Sequence, residues 1–169
     1  MKKMKNCLTF IGILLVMSIL TACNKAEPMT IGADGLGYVT VKGVWKESEK
    51  DSGSIFFEDS KSGSTIGFFD FGDINEENTM DTALKTFIQS VMEDNSLTED
   101  KFKVEKGIKF AGFDAYKVSV EVDGTTSILW LFTDSKNNIH ALSLDALSKN
   151  SVSIIPDIEK SFSLTKPGT

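Results

Sequence analysis

Along most of the chain after residue 37, apolar and polar positions alternate, which is the pattern of strands with one face toward solvent. The clearest case is the segment 114–123, where Tyr116, Val118 and Val120 are separated by polar residues. The segment 126–134 differs, because residues 128–132 are apolar on both faces and predict a strand that is covered on both sides. In all, the pattern predicts strands at 38–45, 54–59, 64–71, 103–110, 114–123, 126–134 and 138–147.

Two segments repeat their apolar residues at the three- and four-residue spacing of a helix. The first covers about residues 79–94 and can be capped by Thr79 or Asn78. The second covers about residues 153–162 and has Pro156 in its first turn, where proline is tolerated. The predicted element order is β-β-β-α-β-β-β-β-α. We therefore predict an α+β domain over residues 38–165, with helices on the faces of a largely antiparallel sheet.

The first 22 residues follow a different pattern, in which three lysines precede an apolar run from Leu8 to Leu20. This order predicts a signal peptide over residues 1–22, because the apolar core of such a peptide has about 7–15 residues whereas a membrane-spanning helix needs about 20. The ending L-T-A-C resembles the lipobox of bacterial lipoproteins, in which the cysteine receives a diacylglyceryl group and becomes the first residue of the mature chain. The resemblance implies that Cys23 is the lipidation site. The alternative is an ordinary signal peptide that a cysteine happens to follow.

Loss of residues 1–22 leaves 15 lysines against 24 carboxylates, a net charge of −9, because three of the 18 lysines lie there and the chain has no arginine. Nucleic-acid-binding proteins need a basic surface, so we predict no nucleic-acid partner. Residues 23–37 are interpreted as the lipidated cysteine and a flexible linker. The negative charge is repelled by anionic surfaces. The domain is therefore predicted at the extracytoplasmic face of the cell membrane, lipid-anchored and standing clear of the bilayer.

Three short motifs add a resemblance to a known fold family. They are GVW at 43–45, FAGFDAYKV at 110–118 and IEKSF at 158–162. Together with the element order, they resemble the PsbP-like family, an α/β/α sandwich named for an extrinsic subunit of photosystem II. The resemblance implies a domain that docks onto other proteins. Unlike the photosynthetic members, this chain has a lipobox and no sign of a metal-retention site.

His140 is the only histidine of the chain and is the first candidate for catalysis or metal binding. A general base or a metal ligand needs partners, and no partner at a fixed spacing is visible in the sequence. No nucleophile motif of the form G-x-S-x-G occurs either. A partly buried strand residue is therefore the simpler interpretation of His140.

The acidic loop before the first helix is the second candidate. Asp73, Asn75 and Glu77 alternate like the first ligands of a calcium loop, but Asn78 and Leu84 occupy the positions where that loop needs glycine and glutamate. The folded part also has no cysteine, since Cys7 lies in the predicted signal peptide and Cys23 carries the lipid. We therefore predict no metal site and no cofactor.

Aromatic residues offer a third kind of candidate. Trp45 ends the first predicted strand, and we predict that it is partly exposed and available for docking. The phenylalanines of the predicted hairpin are expected to be mostly core; they are Phe56, Phe57, Phe68, Phe69 and Phe71.

Three classes of function follow from these patterns. The favoured class is a membrane-anchored, non-catalytic lipoprotein that binds or stabilises another protein of the cell envelope. The second class captures a small ligand or substrate, which requires a concave pocket with convergent polar groups. The third class is a hydrolase, which requires Asp, His and Ser side chains in one cleft.

Overall fold

The computed structural model describes residues 27–147 and 151–168. These residues contain nine strands and two α-helices. Strands β3 to β9 form one antiparallel sheet in the order β3-β4-β5-β9-β8-β7-β6, and β1 and β2 form a separate hairpin. The predicted α+β class is confirmed. The strands are β1 (Pro28–Ala33), β2 (Gly37–Lys42), β3 (Trp45–Lys50), β4 (Ser54–Asp59), β5 (Thr65–Asp73), β6 (Lys103–Phe110), β7 (Phe113–Val122), β8 (Thr125–Thr133) and β9 (Asn138–Ala146), and the helices are α1 (Met80–Asn95) and α2 (Ile155–Ser161).

Apolar side chains on both faces of β8 place this strand inside the sheet, as its sequence predicts. On one face Leu129 and Leu131 pack in a cluster with Leu84 and Ile88 of α1. On the other face its side chains pack in a larger cluster with the β1–β2 hairpin and α2. The prediction that helices cover both faces of the sheet is thus incomplete. On the face opposite α1, the β1–β2 hairpin covers the sheet together with α2.

The β1–β2 hairpin corrects the predicted linker, since residues 28–37 belong to the folded domain. Ile31 is buried among the residues of the larger cluster. The backbones of Tyr38 and Ser163 exchange two hydrogen bonds, and Ser161 Oγ accepts a bond from the amide of Thr40, so the hairpin is tied to the C-terminal segment. Apolar and polar residues alternate only briefly, from residue 29 to residue 33, and glycines lie within and after this segment. For this reason the sequence did not predict a strand there.

The edge strands of the seven-stranded sheet, β3 and β6, are both highly charged. Each is interrupted by a register shift, which in β6 falls at Gly107. Charges and bulges at an edge discourage pairing with another chain. Because only Trp45 of β3 is buried, β3 shows no alternation and the sequence did not predict it. The predicted strand 38–45 instead covers all of β2 except Gly37, is interrupted at Gly43, and ends at the first residue of β3.

Candidate functional site

Trp45, the predicted docking residue, is buried with 5% of its surface exposed, so the expected exposure is wrong. Gly43 explains this, because its φ of 137° turns the chain between β2 and β3 and folds the ring inward. The ring nitrogen of Trp45 donates a hydrogen bond of 3.1 Å to the carbonyl oxygen of Lys42. A Cβ atom on Gly43 would lie 2.6 Å from that ring nitrogen, so the GVW motif shapes the fold. The predicted lipidation site, Cys23, lies outside the described residues.

The other two motifs also hold the fold together. Glu159 Oε1, on α2, accepts a hydrogen bond of 3.1 Å from the ring nitrogen of Trp130 and lies 2.7 Å from Lys117 Nζ. Lys117 in turn lies over the Trp130 ring, 5.1 Å from its centroid. Phe162 packs against Phe110 with ring centroids 4.9 Å apart. These contacts fasten α2 to the sheet.

The acidic loop from Asp70 to Asn78 uses its polar groups internally. Asn75 Oδ1 accepts hydrogen bonds from the amides of Glu77 and Asn78. Asn78 Nδ2 donates to the carbonyl oxygens of Phe71 and Asp73. The loop thereby leads into α1, whose first turn is capped by Thr79, as predicted. Within the residues that the structure describes, no group of three His, Cys, Asp or Glu side chains is placed to hold a metal ion.

His140 lies beside a cleft of about 500 Å³ at the turn between β8 and β9. It is 3% exposed, as expected of a strand residue, and stacks on Phe132. Its Nε2 lies 3.4 Å from Asp134 Oδ2, and its Nδ1 has no hydrogen-bond partner among the described residues. Ser135 lines the same cleft, so Asp, His and Ser do converge. However, neither imidazole nitrogen is placed to take a proton from a serine, and the arrangement is that of a buried structural pair.

Asp134 organises this turn, and its pKa lies below its ordinary value. Burial raises the pKa, but hydrogen bonds from the amides of Asn138 and Lys136 and from His140 outweigh burial and favour the carboxylate. A carboxyl group with a lower pKa in the folded state contributes stability above its unfolded pKa of about 3.9. That contribution is lost as the pH falls through the folded pKa.

Asp134→Asn is therefore expected to lower the free energy of unfolding at neutral pH by about 1–3 kcal/mol. The difference from the wild type should shrink as the pH falls from about 4 through the lowered folded pKa, because the unfolded wild-type chain binds the proton first and the folded carboxylate binds it last. Urea unfolding across this pH range measures it, with Asp114→Asn as the control, since Asp114 is exposed and paired at the surface with Lys109. A difference that stays constant down to low pH would contradict the account.

A groove between α1 and the edge strand β6 is the best candidate for binding. Its volume is about 360 Å³, and its floor contains Leu84, Ile88 and Met92 of α1. The rim is polar and includes an ion pair between Asp81 and Lys106. An apolar floor with a polar rim is typical of surfaces that bind proteins. We call this feature the α1–β6 groove; its lining residues are Asp81, Leu84, Lys85, Ile88, Gln89, Met92, Glu99 and Lys106.

The surroundings of the α1–β6 groove are apolar on one side and acidic on the other. Val104 of β6 is 38% exposed and pairs with Val118, whose side chain packs in the cluster that α1 covers. From residue 73 to residue 100 the chain has eight carboxylates, all exposed, and a single lysine, Lys85. The α1 side of the groove is therefore acidic and favours a positively charged partner, whereas Lys106 of β6 lines the opposite side.

Comparisons with known proteins identify the fold but no close relative. No model of a protein family matches the chain. No curated protein matches it either. Among solved structures, the chain is similar to the solution structure of cyanobacterial PsbP (CyanoP) from Synechocystis sp. PCC 6803. The TM-score is 0.56, with 11% identical residues over 86% of this chain and 95% of that chain. The predicted PsbP-like fold is confirmed, and at this identity the likeness extends to the fold alone.

Proposed function

We propose that this protein is a lipid-anchored extracytoplasmic lipoprotein whose folded domain is a non-catalytic protein-binding module. The α1–β6 groove carries this proposal, because it combines an apolar floor with a charged rim. Met92 supports this role, since methionine side chains adapt to differently shaped partners. The groove opens to solvent, and its apolar floor and charged rim match those of protein-binding surfaces, which favours a polypeptide as its occupant.

The arrangement of layers supports the proposed orientation. Helix α1 packs on one face of the seven-stranded sheet, whereas the hairpin that contains Pro28 packs on the other. An anchor at Cys23 would therefore reach the domain on the face opposite α1. The α1–β6 groove is then separated from the membrane by the sheet and is free to meet envelope proteins. In the part of the chain that is described, no helix is long and apolar enough to cross a bilayer.

The chemistry of the partner follows from the groove. It inserts an apolar side chain between Leu84, Ile88 and Met92 and places lysine or arginine side chains against the acidic surface from residue 73 to residue 100. Complementary charge accelerates such an encounter and orients the two proteins, while the apolar contact supplies much of the affinity.

Gln89→Lys and Thr86→Lys test this proposal as a matched pair. Both residues are exposed on α1, but Gln89 lines the groove and Thr86 does not. We expect Gln89→Lys to reduce the amount of partner isolated with the protein from solubilised membranes by about tenfold or more, because like charges facing each other across an interface are costly. Thr86→Lys, which adds the same charge outside the groove, should leave it nearly unchanged. Equal losses in the two variants would indicate a long-range charge effect and contradict a groove-specific contact.

A further inference from the structure

Unpaired lysines surround the point where the chain joins the folded domain. Pro28, the first residue of β1, pairs with Lys42 of β2 and shares a cleft with Lys42 and Lys160. Lys42 also lines the neighbouring cleft, together with Lys61. These three lysines are exposed and form no ion pair with any residue that the structure describes. The surface around Pro28 therefore presents positive charge on a protein that is acidic overall.

Three carboxylates lie on or beside the same surface, and two of them are restrained, whereas Glu27 is exposed next to Pro28. Asp59 is buried and accepts hydrogen bonds from the amides of Val44 and Ser62. Asp157 is half-buried beside Lys160 in the cleft at Pro28. The accessible carboxylates are the exposed Glu27 and the half-buried Asp157, and three exposed lysines outnumber them, so the balance of accessible charge is positive.

Exposed aliphatic side chains continue this surface. Val44 is 55% exposed and Leu147 is 50% exposed, and they are the two most exposed large apolar residues in the described part of the chain. Both contact the turn after β4: the carbonyl oxygen of Val44 accepts a bond from the amide of Ser60, and Leu147 lies against Gly63. Lysines interspersed with exposed aliphatic groups are typical of surfaces that rest on a lipid headgroup layer.

We infer that the surface formed by Lys42, Val44, Lys61, Leu147 and Lys160 rests on the anionic headgroups of the membrane that holds the anchor. We call it the Pro28 surface. Its lysines bind lipid phosphates as point charges, and its two aliphatic side chains enter the headgroup layer. This inference depends on the proposed lipid anchor at Cys23.

The length of the connection identifies the membrane as the occupant. Five residue steps separate Cys23 from Pro28. At 3.3–3.6 Å per residue, the fully extended connection reaches at most about 18 Å, and a flexible chain is usually much shorter. The Pro28 surface is therefore held within a short distance of the headgroups. Since charge interactions are screened over about 8 Å at physiological salt, the local lysines act on the membrane more strongly than the distant carboxylates of α1.

The net charge of −9 predicts instead that the domain stands clear of the membrane. That expectation relied on a linker through residue 37, which the hairpin replaces. With the shorter connection, the distribution of charge over the two faces matters more than its sum. The acidic segment from residue 73 to residue 100 belongs to the face that α1 covers.

Lysine footprinting tests the inference on the full lipidated protein, purified from membranes and reconstituted into vesicles. One set of vesicles contains phosphatidylcholine alone, and the other contains phosphatidylcholine mixed with phosphatidylglycerol. The rate of lysine acylation is measured by mass spectrometry, which also reports the mass of the N-terminal peptide. We expect Lys42, Lys61 and Lys160 to react roughly fivefold more slowly on anionic vesicles than on neutral ones. Lys85 and Lys101, which are exposed near α1, should react equally on both.

A pair of double variants makes the test specific. Lys42→Glu combined with Lys61→Glu should abolish the protection of Lys160, whereas Lys85→Glu combined with Lys101→Glu, with the same change of charge, should preserve it. Salt at about 1 M should also remove the protection, because the screening length falls to about 3 Å. All four substituted lysines are exposed, so the variants should keep the fold.

Other outcomes separate this inference from the proposed anchor. Unprotected lysines on vesicles that bind the lipidated protein would overturn the Pro28 surface and leave the anchor intact. Protection in native membranes but not on anionic vesicles would also overturn it, in favour of a membrane protein at this surface. An N-terminal peptide with an unmodified cysteine would overturn both.

Discussion

Replacement of Cys23 by serine is expected to abolish the lipid-anchored form of the protein. The thioether that joins a diacylglyceryl group to the chain requires the cysteine sulfur, and two acyl chains are what make such attachment stable. The variant should appear in the medium or as uncleaved precursor. Fractionation of cells, followed by mass spectrometry of the N-terminal peptide, measures both products.

Cys7→Ser is the matched control, because Cys7 lies within the predicted signal peptide and is removed with it. This variant should yield the same amount of membrane-attached mature protein as the wild type. A Cys23→Ser protein that is cleaved and stays membrane-bound would contradict the anchor, as would an unmodified Cys23 in the native protein.

Phe110→Ala is expected to have the largest effect on stability. Phe110 is 1% exposed and lies between the rings of Trp130, Phe132 and Phe162, with centroid distances of 4.9–5.4 Å. Truncation of a buried phenylalanine costs about 3–5 kcal/mol, because the packing is lost and a cavity remains. For a protein of this size, the melting temperature should fall by roughly 10 °C.

Val104→Ala on the same strand provides the comparison. Val104 is 38% exposed, so its truncation should change the free energy of unfolding by no more than about 0.5 kcal/mol. Thermal unfolding followed by circular dichroism measures both variants. Similar melting temperatures for the two would contradict the role of Phe110 as the residue that joins the sheet to α2.

Regular patterns predicted the strands β4 to β9 and helix α1 to within about two residues. Strand β6, predicted at 103–110, has those bounds in the structure. These elements bury one face or both, so their apolar residues repeat at the spacing that burial requires. Pro156 likewise lies in the first turn of α2, although α2 is shorter than predicted and follows a 3₁₀ turn at Ser151–Ile154.

The missed elements lack that repeat. In β3 only Trp45 is buried, and an edge strand of charged residues looks like a loop. In β1 the buried positions are too few and too close to glycine to be separated from a linker. The exposure of Trp45 was predicted wrongly for a related reason. The sequence predicted one strand through Gly43, but the backbone turns at Gly43 and the Trp45 side chain is buried.

The α1–β6 groove could not be predicted from the sequence for a different reason. Helical spacing predicted that Leu84, Phe87 and Ile88 pack on the sheet; Leu84 and Ile88 are buried, and Phe87 is half-buried against the same cluster. Periodicity does not tell how much of that face the sheet covers. The α1–β6 groove arises because the edge strand β6 ends the sheet beside the helix, and that depends on strand order. Likewise, the pairing of His140 with Asp134 depends on the conformation of a turn, which no fixed spacing encodes.

Photocrosslinking determines whether the α1–β6 groove contacts another protein in the cell. A photoreactive amino acid replaces Gln89 in one full-length variant and Thr86 in another, and intact cells are irradiated. Both positions are exposed on α1, and only Gln89 lines the groove. We expect a discrete polypeptide adduct from position 89 and little or none from position 86. Equal adducts from the two positions, or no adduct from position 89, would contradict this expectation.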